Sequence, residues 1–141
     1  MLGLAAVMMY CSKWFTFKIP DAWWEAAGMR DFKTDRKLYR VSLQSRAGAD
    51  ATLIMLVDNI GPGPRSMPRF DRNRIISELR DIRLGHAMSP IEVTKANDRD
   101  YTHILYRGRH RLAASIAVGY PLVPTVVRGQ LDKFRGKEAV A

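Results

Sequence analysis

The chain has 141 residues, 47% of them hydrophobic, and its 23 Lys and Arg against 14 Asp and Glu give a net charge of +9. Such a composition describes one globular domain with its own core and excludes a disordered tail or an assembly of three modules. The single cysteine, Cys11, excludes an internal disulfide, no Cys/His cluster offers zinc a tetrahedral shell, and a reducing cytoplasm is the expected location.

The apolar run from Met1 to Cys11 is about half the ~20 residues that a membrane-spanning helix needs, and it lacks a basic start and a cleavage site. It is expected to form a leader or an edge strand, with no membrane partner. Trp14 to Ile19 is aromatic and partly alternating, which predicts a strand closed by Pro20. Asp21 is the expected N-cap of a short helix over residues 22–27, stopped at Gly28, with at least one of Trp23 and Trp24 in the core. Leu38 to Leu43 predicts a short strand with Tyr39, Val41 and Leu43 on one face. Ala51 to Val57 predicts an apolar strand, and Gly61-Pro62-Gly63-Pro64 predicts a loop in which no ladder continues.

Asp71 caps a predicted helix whose apolar residues Ile75, Ile76, Leu79 and Ile82 make one stripe at 3.6 residues per turn, ending near Gly85. Arg72, Arg80 and Arg83 occupy its other face. Strands are predicted at Pro90 to Thr94 and Tyr101 to Tyr106, a helix at His110 to Val118 stopped by Gly119, and a last strand at Val123 to Val127. The fold class is therefore α/β (α+β): a small mixed-sheet domain over residues 51–128, an N-terminal strand-helix extension over 1–50, and a charged tail over 129–141.

The cations are 16 Arg to 7 Lys, which favours bidentate phosphate ligands, and eleven basic residues face six acidic ones between Arg65 and Arg111. The sharpest local signal is strand, Arg107-Gly108-Arg109-His110-Arg111, helix. A glycine at such a turn lets backbone approach a ligand, the first helical N–H groups lack partners, and the helix dipole favours an anion there. Ser115 follows Arg111 by one turn and is expected to be a surface or backbone-bonded hydroxyl. His86 and His103 are expected to be structural.

Tyr106-Arg107-Gly108-Arg109-His110-Arg111-Leu112-Ala113-Ala114, then Gly119 and Val123-Pro124-Thr125-Val126-Val127, resembles the G-x-[HR]-R…AA…G…VP signature of the ParB/sulfiredoxin superfamily. Val57 to Ile60, Pro64-Arg65, the helix from Asp71 and Pro90-Ile91-Glu92-Val93 are similar to the opening strand, proline-arginine segment, first helix and P-I-x-V strand of the same superfamily. The resemblance spans roughly Thr52 to Arg128. It implies a mixed α/β domain that binds nucleotide phosphates, of ATP, ADP or CTP, at Gly108, Arg109, His110 and Arg111, with Arg65 contributing and Mg²⁺ accompanying the nucleotide; the metal ligands are not specified.

Departures from the superfamily patterns narrow the activity. The sulfiredoxin-like G-C-H-R places its reactive cysteine where this chain has Arg109, so sulfinic-acid reduction is not expected. The serine-kinase-like D-G-H-H-R has an acid where this chain has Arg107. Only fourteen residues follow Val127, too few for the DNA-reading and dimerisation domains of a partition clamp. The leading expectation is nucleotide binding with hydrolysis or phosphoryl transfer, Asp71 serving either as a helix cap or as a carboxylate near the metal-nucleotide that acts as general base, with Asp58, Glu78 and Glu92 as weaker alternatives for metal or base roles. One alternative is a DNA-binding module, ParB-like nucleases included, that uses Arg72, Arg80 and Arg83; another is a non-catalytic interaction protein. A homodimer or a protein partner is compatible with all three.

Overall fold

The computed structural model describes residues 7–42, 52–62 and 70–128. Strands β1 (Val7–Cys11) and β2 (Thr16–Pro20) form an antiparallel hairpin in which Val7 faces Pro20 and Cys11 faces Thr16. Helix α1 (Asp21–Ala26) follows at once. Pro20, not Asp21, occupies its N-cap, and no side chain caps it. The fixed φ of proline suits the entry to a helix, and Asp21 moves into the first turn, where its charge complements the dipole.

The main sheet has five strands in the order β3-β7-β5-β6-β4. They are β3 (Thr52–Leu56), β4 (Ile60–Gly61), β5 (Ile91–Lys95), β6 (His103–Arg107) and β7 (Leu122–Val127). Pairing is mixed: β5 runs parallel to β7 and antiparallel to β6, while β3 lies antiparallel along β7. A mixed α/β fold is thus observed, as expected. The two-residue β4 falls where a loop was predicted; its pairing with His103 and Ile104 is supplied by a strand forty residues away, which a Gly-Pro tract does not reveal.

Helix α2 (Arg72–Leu84) has Asp71 at its N-cap, the carboxylate accepting from the Arg74 N–H at 3.1 Å, and Gly85 at its C-cap. Ile75, Ile76, Leu79 and Ile82 are its buried residues, the stripe that the spacing predicts. Helix α3 (Arg109–Val118) starts from Gly108 and closes at Gly119. It packs against α2, β5 and β1.

Residues between Phe15 and Tyr39 are stitched into this core. Phe15, Phe17, Ile19, Ala27, Met29 and Tyr39 belong to the same buried cluster as Ile75, Leu79, Ile91 and Leu112. At the hairpin tip, the Lys13 N–H donates to Asp58 Oδ1 at 3.0 Å and the Trp14 indole to the Asp58 carbonyl at 2.7 Å. Trp23 and Trp24 are both half-buried against the core, and Trp24 stacks on Tyr10 at 5.8 Å. In place of the strand predicted over 38–43 there is a single bridge, Val41 to Met88, with Tyr39 buried and its hydroxyl donating to the Ser89 carbonyl at 2.7 Å. Leu43 and the tail 129–141 lie outside the described residues.

Two arginines of α2 close the end of α1. Arg80 donates to the Ala26 carbonyl at 3.1 Å and Arg83 to the Ala27 carbonyl at 2.9 Å, satisfying acceptors that a helix C-terminus leaves open. Gly28 makes this approach feasible: its φ is +77°, and a Cβ there would lie 2.6 Å from Arg83 Nε. Gly28→Ala is expected to cost roughly 1–3 kcal/mol of stability, read as a lower midpoint in urea unfolding.

Candidate functional site

The turn from β6 into α3 is built on Gly108, whose φ of 104° lies in the region that favours glycine. A Cβ at this position would meet Ile91 at 2.9 Å and Arg111 Nη2 at 3.0 Å, so the guanidinium of Arg111 lies directly beside the turn. The Leu112 N–H donates to the Gly108 carbonyl at 2.9 Å, and no side chain caps the helix. The N–H groups of Arg109, His110 and Arg111 precede that first helical bond, at the positive end of the helix dipole.

His110 turns inward. It is 5% exposed, and its Nε2 accepts from the Asp71 N–H at 3.0 Å, so the N-terminus of α3 is fastened to the N-cap of α2. The bond requires the neutral ring with its proton on Nδ1. Burial, reinforced by the charges of Arg74, Arg109 and Arg111 against the weaker opposing pull of Asp71, lowers the His110 pKa to about 4. Phe70 packs on its edge at 5.6 Å and on Phe17 of β2 at 5.4 Å, which links the motif to the N-terminal hairpin.

Arg111 also turns inward, which no local pattern indicates. Its Nη2 reaches the Pro90 carbonyl only at a long 3.4 Å, and its Nε is buried with no hydrogen-bond partner among the described residues. The ion pairs among those residues join Arg30 to Glu25, His86 to Asp81, and Arg107 and Arg128 to Glu92; Arg111 takes part in none. Tyr39 and Glu78 line the same region. Burial pushes the Tyr39 hydroxyl up strongly, the neighbouring Arg111 offsetting part of this. Burial also raises Glu78, with Arg111 a larger opposing charge than Arg74. Arg74 is the residue with which helix spacing would have paired it. Neither Tyr39 nor Glu78 stands out in sequence, because the partners that define them come from other elements.

The remaining predicted residues are spread more widely. Arg109 is exposed at the turn, and Arg72 is exposed beside Asp71, its nearest polar contact being Asn73 at 3.4 Å. Arg80 and Arg83 reach α1, as described above. Arg65 lies outside the described residues. Asp58 holds the hairpin tip, and Glu92 accepts from Arg128 at 3.2 Å. Ser115 is not a surface hydroxyl: it is fully buried, and its Oγ has no partner among the described residues. Among those residues no group of three or more His, Cys, Asp or Glu side chains is placed to hold a metal, and no helix is long and apolar enough to cross a membrane.

No protein-family description matches the chain, and no curated protein matches it. Among solved structures, the chain is similar to the crystal structure of sulfiredoxin from Arabidopsis thaliana, with a TM-score of 0.44 and 22% sequence identity over 54% of this chain and 82% of that one. The assignment of a mixed α/β fold rests on the strand order and helices themselves.

The low pKa of His110 has a direct consequence for stability. An unfolded histidine titrates near 6.5 and the folded one near 4, so the stabilisation is fully present above about pH 6.5 and is lost as pH falls towards 4. Its size is on the order of 3 kcal/mol. His110→Gln keeps an acceptor for the Asp71 N–H and removes the titration, so urea unfolding of this variant is expected to change less between pH 7 and pH 5 than that of the native chain. An unchanged pH dependence would show that another group is responsible.

Proposed function

We propose that the Gly108 turn binds the phosphates of a nucleoside di- or triphosphate of the ATP, ADP or CTP kind. The observation that carries this reading is the Arg111 guanidinium: partly buried beside the turn, in no ion pair, and with an unpartnered Nε. Glu78 offsets this charge only from beyond ion-pair distance, and an anion seated at the turn would supply the direct contact. Arg109 supplies a second guanidinium from the solvent side, and the first-turn N–H groups of α3 supply neutral donors. His110 works behind the site: uncharged, it holds α3 and α2 in register and adds no charge of its own.

Mg²⁺ would enter as an ion carried on the nucleotide phosphates, held mainly by them and by water. It would neutralise phosphate charge, with Asp71 as the carboxylate tied to the turn through the His110 bond. Hydrolysis or phosphoryl transfer would require in addition that Asp71 orient the nucleophile. Because its Oδ1 already caps α2, binding is the part of the reading that the geometry supports most directly. The DNA alternative loses support from Arg80 and Arg83, each of which gives a donor to α1.

Titration calorimetry of the full chain with ATP, ADP and CTP, each with and without Mg²⁺, tests the proposal. Arg111→Met should keep the native circular dichroism spectrum while weakening nucleotide at least about tenfold, ~1.4 kcal/mol. Equal affinity in the variant would remove the site. Binding of duplex DNA that falls steeply with salt and is not displaced by nucleotide would transfer the function to nucleic acid.

A further inference from the structure

Of the eight large hydrophobic side chains exposed among the described residues, Tyr106 is the one aromatic, and it is 44% exposed. It stands near the end of β6, two residues before Gly108. The ladder with β5 slips there by one residue: Val93 faces Leu105 and Glu92 faces Arg107, so Tyr106 is the extra residue of a bulge. A bulge re-aims the side chains beside it. Glu92 accepts from Arg128 at 3.2 Å and pairs with Arg107 at 3.8 Å, and these guanidiniums lie 4.5 and 5.7 Å from the centre of the Tyr106 ring. Two cations share one carboxylate, which holds them in place and leaves the cluster positive. An exposed ring set among guanidiniums beside a helix start is suited to a ligand that is flat at one end and anionic at the other, because every nucleobase has a face that stacks on aromatic rings.

We propose that Tyr106, steadied by Arg128, is the platform on which the base of a nucleotide stacks while its phosphates occupy the Gly108 turn. This inference rests on the phosphate reading given above and adds the base to it. Two residues of extended chain span roughly 7 Å, a distance that a ribose bridges between base and phosphates. The excess positive charge of the cluster draws the same anion as the turn does. Stacking reads a flat face instead of a pattern of donors and acceptors, so the platform takes purine and pyrimidine nucleotides alike. Inorganic tripolyphosphate, which has no base, gains nothing from the ring.

Titration calorimetry of the full chain with ATP and with inorganic tripolyphosphate separates the base from the phosphates. Tyr106→Leu keeps a large apolar side chain on the strand; it is expected to weaken ATP at least about fivefold, with tripolyphosphate affinity and circular dichroism unchanged. Tyr106→Phe, which keeps a ring, should bind ATP as the native chain does. Arg111→Met should weaken both ligands. ATP affinity that is indifferent to Tyr106→Leu overturns the platform and leaves the phosphate turn in place. An equal loss of both ligands in Tyr106→Leu also overturns it, since the ring would then act on the turn and not on the base. If neither ligand binds the native chain, both readings fall.

Discussion

The arrangement of the molecule turns on one hydrogen bond, from the Asp71 N–H to Nε2 of His110. It joins the beginnings of α2 and α3, two helices whose positive dipole ends would otherwise repel each other and each hold open donors to water. A buried neutral imidazole is suited to that place, because it accepts a backbone proton without adding charge where Arg74, Arg109 and Arg111 already gather. The same electrostatics keep the ring neutral. The bond in turn sets Asp71 to cap α2 and holds Phe70 between His110 and Phe17, so the N-terminal hairpin is positioned from the same point.

The arginines divide by what surrounds them. Arg80 and Arg83 face the open carbonyls of α1 and are absorbed into helix capping, while Arg107 and Arg128 share Glu92 and lie over the Tyr106 ring at 5.7 and 4.5 Å. Arg111 has neither arrangement. Tyr39 donates its hydroxyl hydrogen to the Ser89 carbonyl, and Glu78, whose pKa burial raises and Arg111 partly restores, lies beyond ion-pair distance of the guanidinium. An excess of positive charge is common on surfaces and says little by itself; its placement under a glycine at a helix start is what gives it chemical meaning.

Much of the architecture was legible because the governing interactions are local. Asp71 and Gly85 bracket α2 as cap and stop, the isoleucine-leucine stripe of that helix is the buried one, and Gly108 and Gly119 bracket α3. Errors arose where distant chain supplies the partner. The strand expected over 38–43 reduces to one bridge, Val41 to Met88, made by the Met88 bonds to Arg40 and Ser42, and β4 exists only because β6 lies beside it. Ser115 has helical spacing that fits a surface as well as a core, and the packing around α3 buried it.

By itself, the sequence determined the three helices, the caps of α2 and α3, four of the five strands of the main sheet, and the turn where Gly108 introduces a donor-rich helix start. These follow from backbone conformational limits and side-chain periodicity over a few residues. Tertiary structure alone decided which of the clustered arginines have partners, that His110 is an inward acceptor, and that residues between Phe15 and Tyr39 complete the core. Each of those outcomes depends on contacts between residues far apart in the chain, whose distances and burial no local pattern encodes.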